Sequence, residues 1–137
     1  MDEKLFELEI ISPDRIFYEG KVSFLEMNTS EGEIGVYKNH IPLTSTLEPG
    51  MVKIYEGESE TPKKAVVHAG FVEILKDKVI IMAEIAEWPE EIDVNRANEA
   101  KIRAERMIKD HDEDGNIDID RAEAALKRSL ARLEALK

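Results

Sequence analysis

The sequence predicts a β plus α fold, in which an N-terminal antiparallel β-sandwich precedes a C-terminal antiparallel two-helix hairpin. Between residues 5 and 86, apolar residues recur with period two or in short runs, and turn residues interrupt them every ~8–12 positions. From residue 92 onward, alanine, glutamate, lysine and arginine dominate and proline is absent, as is typical of helices. The change of pattern at Trp88-Pro89 predicts two domains, a β-sandwich over residues 1–87 and a helical hairpin over residues 88–137.

The strands are predicted from alternation and from runs of β-branched and aromatic residues. Phe6, Leu8 and Ile10 alternate with glutamates, which is typical of a half-buried strand. Gly32 and Gly35 fall among strand signals and are interpreted as turn positions. Because polar hairpin loops separate the runs, the sheets should be largely antiparallel. Later strands are expected at residues 16–18, 22–27, 51–55, 64–74 and 79–84, with hairpin loops at 57–62 and 76–78.

Two helices are predicted at residues 94–110 and 119–136, and the short polar joint between them makes them antiparallel neighbours. An I-D-x-x-R-A motif opens each helix, and its aspartate, Asp93 or Asp118, is placed to cap the first turn. Alanine buries little apolar area, so the hairpin is a candidate for a switchable element, with a permanently docked hairpin as the alternative. The predicted inner faces are Ala97, Ala100, Ala104 and Met107 on the first helix, and Ala122, Leu126, Leu130 and Leu133 on the second.

The composition limits the classes of partner and activity. The chain has 137 residues, which suits a single main core plus an appendage. It carries 30 acidic and 19 basic residues, a formal charge of −11, which argues against nucleic acid and anionic lipid as partners. It has no cysteine, no phosphate-loop motif, no signal-peptide pattern and no apolar run of about 18 residues. We therefore expect a soluble protein without direct membrane insertion, and the length excludes a large multidomain enzyme.

The arginines predict an anion site on the hairpin, because six of the seven lie in the C-terminal part. Arg103 can pair with Glu99, one turn before it. Arg128 and Arg132 have no acidic residue at i±3 or i±4. In an antiparallel hairpin the end of the second helix lies beside the start of the first, so these arginines and Arg96 could converge on a polyphosphate. A solvated basic face, or salt bridges to the acidic sandwich, is the open alternative.

A second pattern suggests a different function. Residues 110–118 resemble the opening of an EF-hand loop, with oxygen ligands at positions 1, 3 and 5 and Gly115 at position 6. Position 12 is Arg121 instead of the bidentate glutamate, so an acidic turn between helices is the simpler interpretation. A calcium-responsive helix–loop–helix module using the Asp110–Asp118 loop is kept as the alternative function. No metal site and no catalytic residues are predicted, and the three histidines, His40, His68 and His111, are dispersed along the sequence.

Three segments occur in a fixed order ahead of the alanine-rich hairpin. They are GEIGVYKNHIPL at residues 32–43, LEPG at 47–50 and AGFVEI at 69–74. Each segment by itself is a weak signal, but their order in a chain of this length is specific. Across essentially the whole chain, the sequence resembles the epsilon subunit of bacterial F-type ATP synthases.

The resemblance implies a rotor subunit of the central stalk, peripheral at the cytoplasmic face of the bacterial cell membrane. Its sandwich would bind the gamma subunit and rest on the c-ring, with Glu33 and His40 facing the ring. Its helices would be folded or extended, and the extended form would reach the alpha and beta subunits of the catalytic head and inhibit ATP hydrolysis. The chain would serve ATP synthesis and proton or sodium transport without being an enzyme itself.

The resemblance also implies that ATP is a regulatory ligand that favours the folded hairpin, with magnesium dependence left open. Arg103, Arg128 and Arg132 would contact the phosphates, and the nucleoside end would be held by Glu87, Ile92, Asp93 and Arg96. His68 and Ala69 replace a small residue and a glycine that are more usual in the family, a departure that puts none of the implied binding residues in doubt. The implied binding residues are Glu87, Ile92, Asp93, Arg96, Ala97, Arg103, Arg128 and Arg132.

Overall fold

Eight strands, one 3-10 turn and two helices form the part of the chain that the computed structural model describes, residues 4–111 and 118–137. The strands come first and the helices last, so the predicted order of elements is confirmed. The strands are β1 (Phe6–Ser12), β2 (Arg15–Val22), β3 (Phe24–Thr29), β4 (Gly32–Val36), β5 (Leu43–Leu47), β6 (Gly50–Tyr55), β7 (Lys63–Ile74) and β8 (Lys78–Glu87). The 3-10 turn (Pro89–Glu91) leads into α1 (Val94–Asp110), and α2 (Ile119–Ala135) follows.

The strands form a continuous sheet that folds over on itself as a sandwich. Its order is β2-β1-β8-β7-β5-β3-β4, and β6 pairs with both β3 and β7. Every described pairing is antiparallel except that of β1 with β8, which are distant in sequence and need no hairpin between them. The predicted fold class, a largely antiparallel sandwich followed by a helical hairpin, is confirmed. The predicted domain boundary between residues 87 and 88 stays a prediction.

Strand β7 joins the two layers because it pairs with a different strand at each end. Residues 63–67 pair with β6, and residues 70–74 pair with β5. Between them Ala69 has φ 48°, a left-handed conformation that costs a non-glycine residue about 1–2 kcal/mol. The next residue has to be glycine, since a Cβ on Gly70 would overlap the backbone carbonyl of Met82 on β8. The strand passes from one layer to the other at this bend.

The main core lies between the layers of the sandwich, away from the helices. Along β1, fully buried residues alternate with exposed or half-buried ones, as a strand with one inward face requires. Strands from both layers supply the large buried side chains, which include Leu8, Ile10, Leu25, Met27, Ile54, Ile74 and Ile81.

The helices pack on each other, and α2 also packs on β6 and β7. The predicted inner faces are wrong at Met107 and Leu130, which are 36% and 45% exposed. The reason is that α2 faces α1 and the sheet at once, and only small side chains allow both close approaches. Neither described helix combines the length and apolar composition needed to cross a bilayer. The buried helix residues are Ala97 and Ala104 on α1, and Ala122, Ser129, Ala131 and Ala135 on α2.

The predicted element bounds hold better for the helices than for the strands. The bounds of α1 match the prediction, and α2 ends one residue earlier than predicted. Strands β4 and β5 were not predicted, and the interpretation as a turn position is wrong for Gly35, which lies inside β4. Gly32 does mark a turn, because it begins β4 with φ 118° and pairs with Thr29 across the turn at residues 30–31. Strand β4 lies at the end of the sheet order, and an edge strand with a single partner tolerates glycine.

We expect Gly70→Ala to lower the free energy of unfolding by about 1–3 kcal/mol, the usual cost of overpacking, because the added Cβ meets the Met82 carbonyl. Gly50→Ala is the matched control, because the atom nearest to its added Cβ lies at 3.5 Å, an ordinary contact. The control should change stability by no more than about 0.5 kcal/mol. Urea unfolding measures both values, and equal stabilities would show that the bend in β7 accommodates a side chain.

Candidate functional site

A cavity of about 280 Å³ lies between the end of β8, the segment that follows it and both helices. This volume is near the lower end of the ~300–1,000 Å³ range of small-molecule sites. The structure brings seven of the eight implied binding residues together in its wall: Glu87, Ile92, Asp93, Arg96, Ala97, Arg103 and Arg132. The remaining lining residues are Glu91, Glu99 and Ala100.

Asp93 shapes the α1 side of the cavity. Its Oδ1 accepts hydrogen bonds from the backbone N–H groups of Asn95, at 3.0 Å, and Arg96, at 3.2 Å. Asp118 caps α2 in the same way through the N–H of Arg121, at 3.1 Å, so both predicted N-caps are confirmed. Because Asp93 occupies these N–H groups, the attraction of an anion to this end of α1 depends on the arginine side chains more than on the backbone.

One carboxylate oxygen connects three elements at the other side of the cavity. Glu87 Oε1, at the end of β8, accepts a hydrogen bond from Nε of Arg132 on α2 at 2.8 Å. The same oxygen lies 2.9 Å from Nε2 of His68 on β7. Burial acts to raise the pKa of Glu87, but the hydrogen bonds from Arg132 and His68 outweigh it and hold that pKa below its usual value. Arg132 is therefore neutralised by the sandwich, although its sequence neighbours offer no acidic partner.

His68 is the buried member of this group, with 1% of its surface exposed. Its Nδ1 has no hydrogen-bond partner within the described residues. Burial lowers the pKa of His68, the bond to Glu87 opposes this effect, and the charges of Arg132 and Arg128 add to it. The departure from the family at position 68 lies beside an implied binding residue, because His68 contacts Glu87 directly. No local signal pointed to this contact, since the partners lie 19 positions apart.

Within the described ranges, the cavity wall retains cationic groups that form no ion pair. Among residues 4–111 and 118–137, neither Arg96 nor Arg103 forms an ion pair, and the pairing of Arg103 with Glu99 suggested by their spacing is absent. Arg132 uses Nε for Glu87, and its two Nη groups have no partner in the same ranges. The arrangement can therefore offer several N–H donors from both helices to an anion.

The segment between β8 and α1 is held firmly on the sandwich. Trp88 stacks on Phe17 with ring centroids 4.2 Å apart. The Arg15 guanidinium donates to Glu91 at 2.8 Å and to the carbonyl of Ala86 at 3.2 Å. Glu91 also accepts from the backbone N–H of Trp88 at 2.9 Å. The first residues of the cavity wall are thus fixed before α1 begins.

Three sequence predictions concern residues outside the cavity. Arg128 lines a separate groove of about 340 Å³ between α2 and the edge formed by β5 and β7. Glu33 lies exposed on β4 and His40 in the loop after it, and neither lines the cavity. Most of the Asp110–Asp118 loop lies outside the described residues, so the calcium interpretation stays a prediction.

Two family models match consecutive parts of the chain. The one described as "ATP synthase, Delta/Epsilon chain, beta-sandwich domain" matches residues 5–89, and "ATP synthase, Delta/Epsilon chain, long alpha-helix domain" matches residues 90–137. A sandwich followed by a helical hairpin thus defines a class of ATP synthase subunits. The chain belongs to the delta/epsilon chain family of ATP synthases.

Its relatives specify the kind of chain within that family. An "ATP synthase epsilon chain" of Caldanaerobacter subterraneus subsp. tengcongensis is 42% identical over 133 residues, 96% of this chain and 94% of the relative. One of Shouchella clausii is 43% identical over 133 residues, with the same coverage. The predicted resemblance to the epsilon subunit is confirmed.

Two solved structures show the same fold. A chain of the Euglena gracilis mitochondrial ATP synthase, titled "OSCP/F1/c-ring", matches with a TM-score of 0.84 at 24% identity, covering 97% of this chain and 82% of that chain. A chain of the Tetrahymena thermophila mitochondrial ATP synthase, titled "central stalk/cring", has a TM-score of 0.64 at 16% identity and covers 96% of each chain.

The bridge between Glu87 and Arg132 should contribute to stability. We expect a double-mutant cycle of Glu87→Gln and Arg132→Gln to give a coupling free energy of about 1–2 kcal/mol, because the two side chains are only 21% and 24% exposed. Lys127 and Glu48 also join α2 to the sandwich, but they are 62% and 40% exposed. The cycle of Lys127→Gln and Glu48→Gln should give less than about 0.5 kcal/mol. Urea unfolding measures both cycles, and equal couplings would contradict this assignment.

Proposed function

We propose that the chain is a non-catalytic rotor subunit of the central stalk of an ATP synthase. Its family membership supports this assignment, as does its fold, shared with chains of structures titled "F1/c-ring" and "central stalk/cring". The sandwich binds the gamma subunit and rests on the c-ring, with Glu33 and His40 facing the ring. The subunit is peripheral at the cytoplasmic face of the bacterial membrane and serves ATP synthesis coupled to proton or sodium transport.

In this proposal the helical hairpin regulates ATP hydrolysis. Folded on the sandwich, it leaves the catalytic head free, and extended, it reaches the alpha and beta subunits and inhibits hydrolysis. The docking interface supports such an exchange, because α2 meets the sandwich in a small apolar cluster of Val66, Ala131 and Ala135. Alanine removes little apolar area from water, so a modest free energy separates the folded and extended arrangements.

ATP is the ligand that favours the folded hairpin. The observation that carries this proposal is that Glu87, Arg103 and Arg132, from β8, α1 and α2, line one cavity. A triphosphate held between Arg103 and Arg132 links the two helices, and Arg132 is itself linked to the sandwich through Glu87. The complete site needs all three elements in the folded arrangement, so a ligand that fills it stabilises that arrangement. The nucleoside end is assigned to Glu87, Ile92, Asp93, Arg96 and Ala97.

The free energy of ATP binding is large enough to change the ratio of folded to extended hairpin. At an ATP concentration of about 100 times the dissociation constant, the folded arrangement gains about 2.7 kcal/mol. This gain corresponds to a shift of about 100-fold in the ratio of folded to extended hairpin. A weakly docked hairpin therefore responds to ATP, whereas one held by a large apolar interface would not.

Calorimetric titration of the purified protein with ATP, in the presence and absence of magnesium, tests the proposal. We expect Arg103→Ala and Arg132→Ala each to weaken binding by about tenfold or more, because each removes a charge-assisted hydrogen bond to phosphate worth about 1.5–3 kcal/mol. Arg106→Ala and Arg121→Ala are the controls, since they remove the same charge from α1 and α2 outside the cavity wall. Absence of binding at millimolar ATP, or equal weakening by all four variants, would contradict the proposal.

The family resemblance assigns Arg128 to the phosphates of ATP, whereas in the folded hairpin Arg128 lines a different groove. Because its side chain lines the neighbouring groove, we expect Arg128→Ala to weaken ATP binding less than Arg103→Ala does. The same titration decides this point. A loss as large as that of Arg103→Ala would mean that the Arg128 side chain turns into the cavity when ATP binds.

A further inference from the structure

His68 occupies the point where α2 meets the sandwich. It belongs to β7, it is fully buried, and three charged groups face it from the elements packed around it. Glu87 of β8 lies 2.9 Å from its Nε2, while Arg128 and Arg132 of α2 act on it through their charges. Its Nδ1 has no hydrogen-bond partner among the described residues. A buried ring with one bonded and one unbonded nitrogen fits a neutral histidine that donates from Nε2.

We propose that His68 is a proton-sensitive positioning residue: while neutral it orients the Glu87 carboxylate toward Arg132, and when it takes up a proton it releases α2 from the sandwich. Neutral His68 donates Nε2–H to Glu87 Oε1, the oxygen that also receives Nε–H of Arg132. A second proton goes to Nδ1, where no acceptor is within reach in the described part of the chain. A buried N–H without an acceptor, on a ring that now carries charge, destabilises the docked arrangement.

The direction of the pH effect follows from the surroundings of the ring. In the docked arrangement, burial lowers the pKa of His68, and the two arginines lower it further against the opposing effect of Glu87. When α2 leaves, water reaches the ring and both arginines depart, so this pKa rises toward its ordinary value of about 6.5. The released arrangement therefore binds the proton more tightly. The contribution of neutral His68 to docking is fully present above about pH 6.5 and is lost progressively as the pH falls below it.

Glu87 does not compete for this proton. Its own pKa is held below the usual value, despite burial, by the hydrogen bonds from Arg132 and His68, so it remains a carboxylate while His68 titrates. One proton changes the ratio of released to docked hairpin by at most about tenfold per pH unit. The link from this release to ATP rests on the proposed function, because release carries Arg132 away from the cavity. Docking itself can be followed without nucleotide.

Fluorescence energy transfer on the full chain measures docking directly. The chain has no cysteine, so Glu60→Cys on the sandwich and Lys137→Cys after α2 can carry a dye pair. Without ATP, we expect the ratio of released to docked hairpin to rise severalfold, and by no more than about tenfold, between about pH 7.5 and about pH 5.5. His68→Gln keeps an N–H donor near the position of Nε2 but does not titrate, so its ratio should stay constant over this range. His40→Gln and His111→Gln remove the other two histidines and should keep the response of the parent chain.

The outcomes separate this inference from the proposed function. A pH-independent ratio in the parent chain, or an unchanged pH response in His68→Gln, overturns the role of His68. ATP titration at about pH 7.5, where His68 is neutral, tests the nucleotide site alone, and its failure leaves the proton response standing. If His68→Gln does not fold, NMR titration of the His68 ring in the parent chain decides. A pKa below about 6.5 supports the inference, and a pKa at or above that value overturns it.

Discussion

The placement of the helices depends on the carboxylate of Glu87. It ends β8 and is therefore part of the sandwich, whereas Arg132 lies near the end of α2. This carboxylate is partly buried, and the hydrogen bonds from Arg132 and His68 outweigh the effect of burial and hold its pKa below the usual value. The same side chain lines the cavity, so a change in docking is also a change in the cavity wall. The Glu87 side chain therefore takes part both in the cavity wall and in the docking of α2 on the sandwich.

The apolar contact between α2 and the sandwich is too small to set the orientation of the helix by itself. Val66, Ala131 and Ala135 form the buried cluster at this interface, and at about 25 cal/mol per Å² alanine contributes little. Ser129 is also buried, but its hydroxyl donates to the carbonyl of Ala125 at 3.0 Å, inside the helix, and adds no polar link to the sandwich. Charged contacts therefore help to set the orientation of α2 on the sandwich. The strength of such contacts changes with protonation and with anion binding, whereas that of a large apolar interface does not.

Local signals predicted most elements, but only part of the site. Asp93 and Asp118 cap their helices within one turn, so the helix starts follow directly from the sequence. Strands β4 and β5 are short and contain glycine, threonine and serine, so they lack a clear apolar alternation. The grouping of arginines followed from hairpin geometry. The bridge could not be predicted, because His68 and Arg132 lie 19 and 45 positions from Glu87 and only strand register and helix docking bring them together.

The firm attachment of residues 88–91 limits how the hairpin can rearrange. The aromatic stack and the ion pair at this segment keep it with the sandwich, whereas the next residue, Ile92, donates its N–H to the carbonyl of Pro89 at 3.1 Å and packs its side chain against the cluster around Val66. In the proposed change from the folded to the extended arrangement, the backbone would turn at Ile92, beyond the anchored segment. Glu87 precedes that point and would stay with the sandwich, while Arg132 follows it and would leave with the helices. The proposed extension would therefore break the bridge and open the cavity, both of which the folded hairpin retains.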